Sequence, residues 1–127
     1  MKNMLTKEEI EEIKNNEWII FSTSIDNYPR SIVVMPSRVE SDKIIISNIQ
    51  MNKTIENINN NSNCFINAYI KEKNDKQYKI TCIAKEYRDG ELFKEIKEYE
   101  ETNNLPEDLK VHSIIIANIE NIEVSEG

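Results

Sequence analysis

The sequence predicts one mainly β domain of the α+β class, an antiparallel barrel of six or seven strands with short flanking helices. Strand-like apolar runs recur along the chain, the connections between most of them are short, and only three segments have helical spacing. Short connections favour antiparallel neighbours, because a parallel crossover takes a dozen residues or more. A meander of this size closes economically as a barrel and leaves no free edge. The length of 127 residues fits a single core, so residues 1–127 are interpreted as one domain.

The helices are predicted at residues 7–16, 51–61 and 91–101. Thr6 and Glu9 have the spacing of a capping box at the start of the first helix. Ile55 and Ile58 give the second helix its apolar stripe, and Asp89-Gly90 precedes the third.

The strands are predicted at residues 18–25, 30–39, 44–49, 64–70, 78–87 and 111–124, the last one bent near Asn118. A turn is predicted at residues 26–29 (DNYP) and a hairpin loop at residues 71–77. Three consecutive isoleucines, residues 44–46, indicate a strand that is buried on both faces.

Charge and cysteine content narrow the function classes. The net charge of -7 disfavours binding to nucleic acid and to anionic lipid. No apolar run reaches the length of a membrane span, and the first residues lack a signal-peptide pattern, so a cytoplasmic protein is expected. Cys64 and Cys82 lie in apolar strand runs without partners at metal-ligand spacing. Both are predicted to be reduced core cysteines, with a disulfide or redox pair as the alternative, and no metal site is expected.

Glycine is scarce: the chain has 2, and one of them is Gly127. A dinucleotide-binding G-x-G-x-x-G loop and a Walker-type loop each need several glycines so that the backbone can approach phosphate. Both ways of binding a nucleotide are therefore excluded.

One segment combines features of an anion site. Asn52, Lys53 and Thr54 open a predicted helix, where free N–H groups and the positive end of the helix dipole attract negative charge. Ser47 and Asn48 at the preceding strand end could reach the same place. The alternative is that Asn52 caps the helix and Lys53 is an exposed solubilising residue. Taken alone, the segment favours that alternative.

A second segment, residues 28–35 (YPRSIVVM), could hold a flat aromatic ligand against an apolar strand, with backbone groups bonding its heteroatoms. By itself, an ordinary core strand is the better interpretation. The single histidine, His112, is predicted to be structural or exposed on the surface.

Taken in order, these segments resemble the FMN-binding split-barrel family, which includes the pyridoxamine 5'-phosphate oxidase-like proteins, and most of all its small single-domain members. The turn at residues 26–30 (DNYPR) stands where the family has a D-G-x-P-R-like turn, and Lys53 followed by Asn57 resembles its phosphate-gripping pair. The similarity extends from about the first helix to the last strand.

The resemblance implies a split β-barrel that forms a homodimer, with FMN between the subunits. Lys53 and Thr54 would hold the phosphate beside Asn52, with Ser47 and Asn48 nearby. Val33, Val34 and Met35 would face the isoalloxazine, mostly through backbone groups. Ile49, Gln50 and Met51 would line the passage between ring and phosphate.

The expected function is that of an FMN-dependent oxidoreductase or electron-transfer protein with a small-molecule or protein redox partner. Pyridoxamine phosphate oxidation itself is not expected. Two alternatives remain: a flavin carrier or stress-related binding module without turnover, and the same barrel binding a deazaflavin or haem. Haem is the weaker choice, because His112 is the only histidine.

Overall fold

The computed structural model describes residues 2–73 and 75–126, and its centre is an antiparallel sheet of seven strands. The strands are β1 (Ile19–Ile25), β2 (Tyr28–Val34), β3 (Arg38–Val39), β4 (Lys43–Asn48), β5 (Asn63–Ile70), β6 (Lys76–Tyr87) and β7 (Ser113–Ser125). The helices are α1 (Lys7–Asn16), α2 (Asn52–Asn60) and α3 (Glu91–Asn103). The predicted α+β class is confirmed, and the arrangement is that of a split barrel.

The sheet is open, which corrects the expectation of a closed barrel. Its strands are ordered β2-β1-β5-β6-β7-β4-β3, so within the described residues β2 and β3 are the two edges. The predicted strand at residues 30–39 is in fact two strands, β2 and β3, separated by residues 35–37. Pro36 lies in that gap, and proline cannot donate a ladder hydrogen bond. The chain therefore leaves one edge of the sheet and rejoins it at the other.

The turn between β1 and β2 is tighter than predicted. Asp26 and Asn27 both have positive φ, at 50° and 67°, and Ile25 pairs directly with Tyr28. This is a two-residue hairpin turn, for which Asn and Asp are suited because they tolerate the left-handed region. Pro29 lies inside β2, where an edge strand accommodates it.

The predicted irregularity in the last strand is a β-bulge. Thr81 pairs with Asn121, whereas the next residue, Cys82, pairs with Ile119. Glu120 is therefore the extra residue, two positions beyond Asn118. The bulge lets one continuous β7 bond both β6 and β4.

The isoleucine run in β4 is buried on both faces, as predicted. Ile44 and Ile46 belong to the main core, which is also lined by Phe21, Ile66 and Ile80. Ile45 points the other way, into a smaller cluster with Ile96, Val111 and Ile114 under α3. One strand thus serves two apolar layers.

Two sets of hydrogen bonds hold helix α1, one at its N-terminus and one between Glu12 and β6. Its N-terminus has the predicted capping box, because the Thr6 side chain accepts from the Glu9 N–H and the Glu9 side chain accepts from the Thr6 N–H. Further along, Glu12 accepts hydrogen bonds from the Tyr78 hydroxyl and from Lys76, the latter at 3.0 Å. These bonds tie the helix to β6.

No helix in the described ranges is both long and apolar enough to cross a lipid bilayer.

Candidate functional site

The N-terminus of α2 is open. Met51 is the N-cap residue, its side chain makes no capping bond, and the first turn contains no acidic residue. The Ile55 N–H makes the first intrahelical hydrogen bond, to the Met51 carbonyl at 2.9 Å, so the N–H groups of Asn52, Lys53 and Thr54 have no intrahelical acceptor. The interpretation of Asn52 as the N-cap is wrong, since Asn52 is the first residue inside the helix.

Asn48 fixes the approach to this terminus. Its Oδ1 accepts from the Met51 N–H at 2.9 Å, and its Nδ2 donates to Ser113 Oγ at 2.9 Å. Asn48 is 6% exposed and Ser113 is fully buried. The loop that leads into α2 is therefore anchored to β7 by a buried side chain, and the Met51 N–H is already satisfied.

The side chains of the first turn point in two directions. Lys53 is exposed and lies 3.4 Å from the Glu56 carboxylate, whereas Thr54 is 2% exposed and belongs to the buried side of the helix. Ion pairs between exposed side chains contribute little, so the Lys53 ammonium is free to meet another anion. One turn later, Asn57 Nδ2 donates to Thr23 Oγ1 at 3.1 Å and docks α2 on β1.

Ser37, in the gap between β2 and β3, contacts β4. Its N–H donates to the Ile45 carbonyl at 2.8 Å, and its hydroxyl lies 2.6 Å from the Ser47 hydroxyl. Met35 of the second predicted segment precedes Ser37 by two residues, so their Cα atoms are at most about 7 Å apart.

The residues between strand and helix have mixed exposure. Ile49 is half-buried and packs against the small cluster under α3, Gln50 is exposed, and Met51 is half-buried against the main core.

The end of β2 presents apolar side chains to the outside. Val33 is 63% exposed and Met35 52%, while Val34 is 7% exposed and belongs to the core. Val33 also borders an open hollow of about 340 Å³ that Trp18, Ile20 and Tyr69 help to line.

The backbone of Val33 is free as well. Ile25 and Tyr28 close a two-residue turn and so form a hydrogen-bonded pair, and pairs alternate along an antiparallel ladder. Val33, opposite Ile20, falls on a pair without hydrogen bonds. Its N–H and C=O therefore point away from β1, towards an edge that no strand covers within the described residues.

Sequence reasoning missed Ser37, and it included Arg30 in the candidate segment at residues 28–35 without assigning it a role. Arg30 lies opposite Thr23 in the β1–β2 register, so both side chains are on the sheet face that carries α2. That face thus has a second exposed cation besides Lys53. The tight Asp26-Asn27 turn was the signal for Arg30, because this turn sets the β1–β2 register. Ser37 gave no signal, because its contact joins the segment between β2 and β3 to Ser47 in β4.

His112 lies next to the end of β4. Its N–H donates to the Asn48 carbonyl at 2.9 Å, and its side chain is exposed. Within the described residues, no group of three or more His, Cys, Asp and Glu side chains is arranged to hold a metal ion.

Solved structures share this architecture over nearly the whole chain. HupZ of Group A Streptococcus superposes with a TM-score of 0.82, covering 96% of this chain and 100% of HupZ at 17% identity. A general stress protein 26-related protein of the pyridoxinephosphate oxidase family, from Clostridium acetobutylicum, gives 0.75, with 94% and 86% of the chains covered at 14% identity. This is the fold of the FMN-binding split-barrel proteins.

An FMN-binding protein from Syntrophomonas wolfei gives a TM-score of 0.69 at 16% identity, covering 94% of this chain and 86% of that one. An F420 reductase gives 0.70 at 10% identity, covering 94% and 98%. No protein-family model and no curated protein sequence matches the chain. The similarity is therefore one of fold, and a ligand has to be inferred from the residues of the site.

Proposed function

We propose that this protein binds FMN and holds its phosphate at the N-terminus of α2. The observation that carries this proposal is the open helix end. The three N–H groups of Asn52, Lys53 and Thr54 lie at the positive end of the helix dipole, with no capping side chain and no first-turn carboxylate. A phosphate dianion accepts hydrogen bonds from such donors. It also attracts the Lys53 ammonium, whose positive charge is otherwise unfavourable at the positive end of the helix dipole.

Lys53 and Arg30 supply positive charge next to the proposed phosphate position in a protein whose net charge is -7. Both are exposed, and Arg30 shares its sheet face with Thr23, on which α2 is docked. Ser47 and Asn48 are buried behind the site and are engaged by Ser37 and Ser113. Their role is to position the loop, while Asn52, Lys53 and Thr54 contact the anion.

The isoalloxazine ring would lie along β2. The free N–H and C=O of Val33 suit the ring's polar edge, and the exposed Val33 and Met35 side chains suit its apolar face. Ile49, Gln50 and Met51 would line the passage to the phosphate. When bound, the flavin would supply the redox chemistry, and the chain would set its position, its access to solvent and its potential.

We also propose a homodimer with flavin at the interface, and the apolar outer face around Val33 supports this proposal. Trp18, Ile20 and Tyr69 are 51%, 40% and 41% exposed beside it, and contiguous exposed apolar area marks an interaction site. The two free, buried cysteines fit a reducing compartment, so we place the protein in the cytoplasm.

The proposed activity is electron or hydride transfer to a small-molecule or protein partner. A carrier without turnover uses the same site and remains the alternative. A deazaflavin is the second candidate ligand, because an F420 reductase has the same fold. Haem is disfavoured, since His112 is the sole histidine.

The test is a visible spectrum of the purified protein, followed by titration with FMN, F420 and haem. Flavin bands, or saturable quenching of FMN fluorescence, are expected. A colourless protein that binds no FMN would contradict the proposal, and saturable binding of F420 alone would favour the deazaflavin. Reduction of the bound flavin by NADH or NADPH separates an enzyme from a carrier.

A further inference from the structure

Cys64 and Cys82 face each other across β5 and β6. They are direct partners in the antiparallel register, and both point into the main core. Both are free thiols. Directly opposed residues on one sheet face have neighbouring side chains, so the two sulfur atoms are neighbours although 18 positions separate them in the chain.

The backbone spacing of this pair is that of a disulfide. The Ala84 N–H donates to the Ser62 carbonyl at 2.8 Å, which makes Ser62 and Ala84 a hydrogen-bonded pair. Pairs alternate along the ladder, so Cys64 and Cys82, two positions further, are hydrogen-bonded too and have Cα atoms about 5.5 Å apart. Disulfides join Cα atoms about 4.4–6.8 Å apart. The Cα spacing therefore permits a disulfide, and because the Cβ atoms of a hydrogen-bonded pair lie about 5.5 Å apart, they must approach each other by about 1 Å to reach the disulfide range.

The two thiols differ in access. Cys64 is 6% exposed and borders a shallow depression at the surface, which Ser22, Ser24 and Pro29 also line. Cys82 is fully buried. Its neighbour Cys64, together with burial, raises the pKa of the Cys82 thiol. Of the two residues, Cys64 is therefore the one nearer to solvent, and Cys82 lies deeper in the core.

We infer that Cys64 and Cys82 form a redox modification site, which a peroxide converts to an intramolecular disulfide. The Cys64 thiolate attacks one peroxide oxygen, the O–O bond breaks, and one water leaves as Cys64 becomes a sulfenic acid. The Cys82 sulfur then attacks the Cys64 sulfur, the S–O bond breaks, and a second water leaves. Overall, two thiols lose two electrons and two protons, and hydrogen peroxide gains them.

The reaction is slow by its geometry, because both residues lie in the core and the raised pKa of the Cys82 thiol makes it a poor nucleophile in the second step. The reaction nonetheless favours the Cys64–Cys82 disulfide, since a sulfenic acid at Cys64 has the Cys82 thiol directly opposite and little solvent around it. The inference is independent of any flavin, and the test is carried out on protein without added FMN.

The experiment treats the full chain with hydrogen peroxide, denatures it, blocks free thiols with an alkylating agent and measures the intact mass. The expected product escapes alkylation at both cysteines and is about 2 Da lighter than the reduced chain, the mass of two hydrogen atoms. Dithiothreitol should restore both alkylation sites, and peptide mapping should join Cys64 to Cys82. Two alkylated cysteines after treatment, or a disulfide between chains, would overturn the inference.

Two variants test the order of reaction. Cys82→Ala should stop at the Cys64 sulfenic acid, which dimedone captures, whereas Cys64→Ala should leave Cys82 as a thiol. Equal dimedone labelling of both variants would overturn the assignment of Cys64 as the attacking sulfur. The wild-type mass measurement tests the disulfide itself, even if a variant does not fold.

Discussion

The N-termini of α1 and α2 each carry a lysine and differ in how their N–H groups are satisfied. At α1, Thr6 and Glu9 cap each other's backbone, and Glu8 and Glu9 place negative charge in the first turn. At α2, the Met51 side chain accepts nothing, the first turn has no acid, and Lys53 adds a positive charge. Each helix has a lysine in its first two positions, Lys7 and Lys53 respectively.

The difference shows what separates a structural helix end from a ligand site. An end whose donors are satisfied by its own side chains has no attraction left for an anion, whereas an end without them does. The third helix supports the distinction. Its N-cap is Gly90, which also lacks a capping bond, but Glu91 neutralises the first turn. Among the helices of the described residues, α2 alone combines a first turn without a capping side chain or an acid with a lysine at its second position.

The largest expected effect is on FMN affinity. Lys53→Glu replaces a cation at the proposed phosphate with an anion, and it should weaken FMN binding by about 10- to 100-fold, since charge-assisted hydrogen bonds contribute about 1.5–3 kcal/mol. Fluorescence titration measures it. Lys7→Glu is the matched control, because Lys7 is equally exposed at the capped helix end. A similar loss in both variants would mean that net charge, and not the α2 terminus, governs binding.

The next effect concerns stability. Asn48→Ala removes the acceptor for the Met51 N–H and leaves Ser113 Oγ without its partner, so about 2 kcal/mol of unfolding free energy should be lost in urea denaturation. FMN binding should weaken too, because the loop into α2 loses its anchor. Thr6→Ala is the control at α1: it should cost about 1 kcal/mol and leave FMN affinity unchanged. Unaltered FMN affinity in Asn48→Ala would show that Asn48 does not position the site.

The smallest effect is the response of α1 to acid. The Tyr78 hydroxyl and the Lys76 ammonium lower the pKa of Glu12 below its ordinary value of 4.5. A carboxyl whose pKa is lower in the folded state stabilises the protein above its unfolded pKa, and this contribution is lost as the pH falls through the folded value. Glu12→Gln should therefore unfold less steeply with decreasing pH below about 4.5 than wild type does. Equal slopes of stability against pH for the two proteins would show that Glu12 does not contribute to the acid response.

The sequence predicted the parts of the fold that local chemistry determines. The Thr6–Glu9 capping box, the buried isoleucines of β4 and the irregularity near Asn118 all depend on neighbouring residues. Strand bounds and closure were harder to predict. The split at Pro36 and the open edges depend on which strands meet across the sheet, and residue order alone does not determine that.

The site divides in the same way. Asn52, Lys53 and Thr54 could be recognised because they are consecutive and open a helix. The roles of Ser37 and Arg30 could not be recognised, since their relation to Ser47 and Thr23 arises from strand pairing. The mistaken cap at Asn52 has a similar origin. Asn48 satisfies the Met51 N–H from outside the helix, and that shifts the helix start by one residue.

The measurement that most directly tests the central claim compares FMN with riboflavin, which lacks the phosphate, on wild type and on Lys53→Ala. Wild type should bind FMN at least about 10-fold more tightly than riboflavin, because the α2 terminus contacts only the phosphate. Lys53→Ala should narrow that ratio by weakening FMN and leaving riboflavin unchanged. Equal affinities of the two ligands for wild type, or equal losses in the variant, would contradict a phosphate site at Asn52, Lys53 and Thr54.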